Sequence, residues 1–227
     1  DAEFMWGFNH TTETQLTYVS FSSHMSNDCL GYAGLDQPAK LIDKSLYDQI
    51  SKTDYRKSLF NGPDGDKTAS ADTPGAARPY ASRKFGYMAQ WLQDYIYMRA
   101  SEMVLIEAES YARLGDGAKA ASVLGELMAK RDIAWKSASV TVDDVLLQRR
   151  IELWGEGHGY YDLRRNGKGI DRNYEGTNHT PANRIKVPAH DNLWWFQLPL
   201  KEITENDMIS EDEQNPWSKE QDNDKED

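Results

Sequence analysis

A chain of 227 residues with 39% hydrophobic residues is long enough to bury one large core or two smaller ones. Its 37 acidic against 26 basic side chains leave a net charge of -11, which disfavours a phosphate-tracking nucleic-acid surface, and a mean hydropathy of -0.77, with no apolar run near the ~20 residues of a bilayer crossing, excludes a membrane span within this stretch. Cys29 is the only cysteine, so neither an intramolecular disulfide nor a cysteine zinc cluster forms, and an opening of Asp1-Ala2-Glu3-Phe4, without initiator Met or signal segment, leads us to expect that upstream sequence has been removed.

In chain order, residues 6–35 mix aromatics with Ser, Thr, Asn and Gly without steady periodicity, which predicts polar loops with a short strand at 16–21. Residues 36–51 place Pro38 in a first turn and Leu41, Ile42, Leu46 and Ile50 at helical spacing. The Gly, Pro and Asp content of 61–79 predicts a long loop. A helix is predicted over 96–114, with Ala100, Met103, Val104, Ala108 and Tyr111 on one face and Gly115 as its left-handed stop. Asp116 then caps a second helix whose stripe is Ala120, Val123, Leu124, Leu127 and Met128, and so short a turn makes the pair an antiparallel hairpin of the tetratricopeptide-like kind. Thr141, with Asp144 as an imperfect capping box, starts a third helix running through Val145, Leu146, Ile151 and Trp154. Beyond Tyr161 the chain reads as loops, with an apolar strand at 193–198, one helical turn from Pro199 to Asn206 and an acidic disordered tail at 219–227. The fold class expected is mainly α, with tetratricopeptide-like helical hairpins, long irregular loops and little β structure.

The densest charge pattern is Arg149, Arg150, Glu152, Glu156, Asp162, Arg164 and Arg165. Glu152 and Glu156 lie four apart on one helix face, so they repel unless cations neutralise them. Two readings stay open here: a glycosidase acid pair standing ~5 to 9.5 Å apart, or a structural ion-pair network of Arg99, Glu102, Arg150, Glu152, Glu156, Asp162 and Arg165. The second is favoured, because arginine crowding keeps acids ionised whereas a general acid needs a raised pKa. Glu102 is expected to serve one of the arginines, Glu107 and Glu109 to sit on a solvated face or in the network, and Arg99 and Arg131 to be structural.

A small-molecule site is expected to combine flat aromatic faces with short polar groups beside them. The candidate ligand residues are Trp6, Asn9 and His10 in the opening loop, Tyr32 between two glycines, and Trp91, with Phe8, His24, Asn27 and Asp28 nearby and Tyr80 a weaker choice. Trp135, Trp154, Trp194 and Trp195 are expected in the core. Gly62 to Thr68 lacks the spacing of a phosphate loop, Asp64 and Asp66 lack an EF-hand frame, the five histidines show no ligand spacing, and Cys29 has no basic neighbour to activate it, so no metal, cofactor or nucleophile is assigned.

Three blocks carry a resemblance. Residues 97–109 (Tyr97-Met98-Arg99-Ala100-Ser101-Glu102-Met103-Val104-Leu105-Ile106-Glu107-Ala108-Glu109), the run from Arg150-Ile151-Glu152 through Glu156-Gly157 to Asp162-Leu163-Arg164-Arg165, and Leu198-Pro199-Leu200-Lys201-Glu202-Ile203 followed by Gln214-Asn215-Pro216 resemble, in order and spacing, the carboxy-terminal half of SusD-like (RagB/SusD) outer-membrane nutrient-binding lipoproteins. Asp54-Tyr55-Arg56 is a weaker match, and Trp217 departs from the glycine usual there. The resemblance implies residues 1–218 as part of one SusD-like domain: 1–95 on the ligand side, 96–165 as helical core and 166–218 as a closing segment. It also implies a non-catalytic lipoprotein on the cell surface, bound to the outer membrane through an amino-terminal anchor outside this chain. Such a protein passes oligosaccharide to a SusC-like TonB-dependent transporter. A glycoside hydrolase using Glu152 and Glu156, and a tetratricopeptide-like protein scaffold, are the alternatives.

Overall fold

A computed structural model of the protein describes residues 3–15, 20–28, 39–86 and 92–216. In chain order the elements are β1 (Phe4–Phe8), α1 (Phe21–Met25), α2 (Lys44–Gln49), α3 (Pro74–Ala77), β2 (Tyr95–Arg99), α4 (Ala100–Arg113), α5 (Gly117–Met128), α6 (Val142–Glu152), α7 (Gly159–Arg165), β3 (Ile170–Asp171), β4 (Lys186–Val187) and α8 (Leu200–Glu205). Contacts divide the chain into two units, Asp1–Gly159 and Tyr160–Asp227.

The first unit is built on the α4–α5 hairpin. Gly115 takes φ +83, and the N–H groups of Gly115 and Asp116 bond back to the carbonyls of Ala112 and Tyr111, so the carbonyls orphaned at the end of α4 are satisfied as the chain reverses. Asp116 then accepts from Lys119 N (2.9 Å) and opens α5, as expected. Leu105 and Ala108 of α4 bury against Ala120, Ala121, Val123, Leu124, Leu127 and Met128 of α5, and the alanines let the axes approach. Against α4 packs α6, whose Thr141–Asp144 capping box is formed in both directions. Its Val145 joins the hairpin core, while its Ile151 joins a second cluster of Ile42, Leu46, Ile50, Phe60 and Tyr80.

Several sequence expectations are corrected. Residues 96–99 are strand rather than helix: β2 pairs antiparallel with β1 in a register that sets Phe4 opposite Arg99 and Trp6 opposite Met98. Tyr95, Ile96 and Tyr97 suit a pleated surface, and helical spacing had been read back from the true helix behind them. The helix expected over 36–51 is α2 alone, started by Asp43, which accepts from Ser45 N (2.8 Å); Pro38 lies outside the described residues. Of the strand expected over 16–21, Ser20 is instead the cap and Phe21 the first residue of α1, and residues 16–19 lie outside the described set. The 61–79 loop contains α3, with Ala76 buried.

In the second unit, the loops expected after Tyr161 begin with the remainder of α7. Residues 193–198 form no strand: a 3-10 turn at Asn192–Trp194 leads into extended chain whose backbone is bonded by side chains, Gln214 to both the N–H and the carbonyl of Leu198 (2.8 and 3.1 Å) and Asn215 to the Phe196 carbonyl (2.6 Å). These two amides occupy the place of a neighbouring strand. Trp195, expected in the core, is 49% exposed, whereas Trp194 is buried.

Candidate functional site

Four cations and four carboxylates meet within the first unit. Glu152, at the carboxyl end of α6, accepts from Arg99 Nη1 (2.7 Å), Arg131 Nη2 and Nε (3.0 Å each) and Arg56 Nη1 (3.1 Å). Arg99 turns its other edge to Glu156, Nε and Nη2 each at 2.9 Å, the two-pronged geometry that suits a planar guanidinium. Lys84 binds Glu156 as well and donates to the carbonyls of Glu152 (2.8 Å) and Trp154 (2.9 Å). Arg56 is gripped by Asp54 (2.6 to 3.1 Å), and Glu3 closes the set on Arg99, Arg131 and Ser101. Arg56, Asp54 and Glu152 are all at most 5% exposed.

Burial alone would push the Glu152 carboxyl up, yet the hydrogen bonds and charges of Arg131 and Arg99 outweigh it and hold the group at about 2, below the ordinary 4.5. Glu156 is likewise lowered against its burial, by the bond from Arg99 and the charge of Lys84. Burial pulls the Lys84 ammonium down, and Glu156 only partly offsets this because nearby Arg99 repels it. The folded value of Glu152 lies below its unfolded one, so its stabilisation is complete above pH 4.5 and is lost as the pH falls towards 2. We expect a loss of about 3 kcal/mol over that window. Urea midpoints measured at successive pH values should fall there in the parent and much less in Glu152→Gln; parallel curves would show that Glu152 is not the acid-labile group.

The network forms one side of a cavity of about 940 Å³. The same cavity is lined by Phe21, Tyr55, Phe85, Tyr95 and Tyr97, together with Asp94. Asp94 accepts from Asn9 Nδ2 and His10 N (3.0 Å each), and Tyr95 Oη accepts from Phe21 N (2.8 Å), so the opening loop is fastened beside β2.

Of the ligand candidates, Trp6 is 60% exposed on β1 and packs on Tyr97 with ring centroids 5.1 Å apart. His10 is buried, edge-on to Phe8 and Tyr95, and neither it nor Asn9 lines the cavity. Tyr32 and Trp91 lie outside the described residues. Asn27 spans the Lys40 and Ser82 backbones, His24 contacts the Ser20 carbonyl (2.9 Å), Asp28 pairs with Arg83, and Tyr80 is buried.

Of the expected network, Arg99, Glu152 and Glu156 converge. Glu102 pairs with Arg149 (3.2 Å) rather than Arg150, which is exposed, because Arg149 shares the buried face of Val145 and Glu152. Asp162 and Arg165 pair with each other on α7 in the second unit (2.8 Å). Glu109 is buried and binds Arg113, while Glu107 is exposed. Sequence reasoning missed Glu3, Asp54, Arg56 and Lys84 as network members. The one available signal was the Asp54-x-Arg56 spacing, in which the same aspartate caps a turn by accepting from Arg56 N (2.9 Å).

Comparison with curated proteins gives no match. Among solved structures, a SusD superfamily protein from Bacteroides vulgatus ATCC 8482 is 22% identical, with a TM-score of 0.74 over 95% of this chain and 46% of that one. A SusD-like carbohydrate binding protein from the same organism is 23% identical (TM-score 0.66; 92% and 48% covered), and surface glycan-binding protein A from Bacteroides uniformis is 21% identical (TM-score 0.60; 94% and 48%). The chain thus spans about half the length of these relatives and shares their helical fold. A model of the SusD family matches residues 84–217, more than half of the sequence, and the chain belongs to that family.

Proposed function

We propose that this chain is part of a cell-surface protein that captures oligosaccharide without cleaving it and delivers it to a SusC-like TonB-dependent transporter in the outer membrane. The observation that carries the reading is the state of Glu152 and Glu156. Each is bound by at least two cations and pulled below its ordinary value, so neither offers the proton that glycosidic cleavage requires of an acid. Family membership and the carbohydrate-binding and glycan-binding descriptions of two similar structures support capture. The exposed Trp6–Tyr97 pair and the cavity aromatics beside it supply flat apolar faces of the kind that pack on sugar C–H surfaces. Trp91 and Tyr32, which lie outside the described residues, are kept as proposed ligand contacts.

Calorimetric titration with a panel of oligosaccharides, combined with a reducing-end assay on the same mixtures, tests the reading. Saturable binding without release of reducing ends is expected, with Tyr97→Ala weakening it about tenfold through loss of an aromatic face. Reducing ends that accumulate with time, and fall in Glu156→Gln, would make the protein a hydrolase. A transporter that co-purifies with a chain lacking any sugar affinity would make it a protein scaffold.

A further inference from the structure

The second unit holds a small cationic pocket that the network and the large cavity do not use. Its geometry starts where α7 ends. Gly167 takes φ +57, and the N–H groups of Gly167 and Lys168 bond back to the carbonyls of Arg164 (3.1 Å) and Leu163 (2.9 Å), a helix stop that glycine makes cheaply. The reversal brings Lys168 round beside Arg164. The chain then enters β3, which pairs with β4 so that Ile170 faces Val187 and Asp171 faces Lys186. Continued outward, the same register sets Gly167 opposite His190. A Cβ at Gly167 would stand 3.0 Å from His190 Nε2, so the imidazole packs closely over the glycine. The returning segment is pinned by the buried Trp194, whose Nε1 donates to the Pro188 carbonyl (2.7 Å).

The result is a pocket of about 90 Å³ lined by Arg164, Gly167, Lys168, His190, Trp194 and Trp195. Three of these side chains carry or can accept a positive charge, and no carboxylate lines the pocket among the described residues, in a chain whose net charge is -11. The guanidinium of Arg164 stands 4.5 Å from the centre of the Trp195 ring, which remains half-exposed. Stacking fixes the plane of the guanidinium before any anion arrives, which lowers the ordering cost of a two-pronged bond. The space is enough to admit a carboxylate or sulfate group. The half-exposed indole of Trp195 at the same pocket offers a flat face to a ring attached to such a group.

We propose that this pocket binds the carboxylate or sulfate of an acidic sugar unit, with the ring of that unit against Trp195. The inference rests on the glycan-capture reading, and names an acidic glycan as its ligand. Titration of the full chain with a trigalacturonate, a sulfated trisaccharide and a neutral maltotriose, each at low and high salt, separates the two. The acidic ligands should bind at least about tenfold more tightly than the neutral one, lose that margin at high salt, and weaken about tenfold in Arg164→Ala and in Trp195→Ala. Arg164→Lys should restore part of the loss, and both positions are exposed, so the variants should fold. The trigalacturonate and sulfated arms tell which anion fits better. Equal binding of acidic and neutral sugars, untouched by Arg164→Ala, would overturn the pocket assignment and leave glycan capture standing. Inorganic sulfate binding as tightly as the acidic sugars would also overturn it, reducing the site to an anion hole. Absence of binding by these sugars and by the wider oligosaccharide panel would remove both readings.

Discussion

Glu152→Ala is expected to destabilise the protein by roughly 3–5 kcal/mol, the cost of leaving buried charges without their partner. The side chains of Arg56, Arg131 and Arg99 are only 2%, 9% and 13% exposed, and all three point at this one carboxylate. Water cannot readily replace it, so three guanidinium groups would lose a charged acceptor together. Glu152→Gln should cost less, because the amide oxygen still accepts two of the bonds, although its NH₂ group meets donors. Urea unfolding followed by tryptophan fluorescence ranks the three proteins. A Glu152→Ala value within about 1 kcal/mol of the parent would mean that the arginines are solvated and the network contributes little.

Leu105→Ala should cost about 3–5 kcal/mol for a different reason. Leu105 is fully buried in α4, in one cluster with residues of α5 and α6. Deletion of its isobutyl group forfeits transfer free energy and leaves a void among three rigid helices. The neighbouring Ile106 is 45% exposed, and Ile106→Ala should cost under about 1 kcal/mol. Equal losses at the two positions would show that helix propensity, not core packing, governs this element.

The helical hairpin was legible in the sequence because its signals are local: a glycine that must take positive φ, an aspartate cap three residues before its partner N–H, and a stripe of small and branched side chains. The β1–β2 pair was not. Its partners lie 87 to 95 positions apart in the chain, and the strand-favouring Tyr95, Ile96 and Tyr97 run into the helix that follows without a turn or breaker between them. The charge cluster was legible as to type and only partly as to membership. Counting from Val145 by four and then three reaches Arg149 and Glu152 on one helix face, so the choice of Arg149 over Arg150 could have been made from spacing. Lys84 gave no such clue, and the Asp54-x-Arg56 spacing did not point to Glu152, since Glu152 and Glu156 are brought near these cations only by tertiary folding. Trp195 failed for a simpler reason. Trp194 closes a 3-10 turn and Trp195 opens the extended chain after it, so the two neighbours do not share one face.

Arg99 is the last residue of β2, and α4 begins at the next position without a connecting loop. A single pair of torsions, φ -140 and ψ 152, therefore sets the angle at which the strand leaves the helix. A five-residue strand acts as a lever of about 17 Å, so a twist of about 10° at this joint would sweep its far end by about 3 Å. By clamping the Arg99 side chain on Glu3, Glu152 and Glu156, the charge network works as a brake on that swing, and the position of the Trp6 and Tyr97 rings is inherited from it.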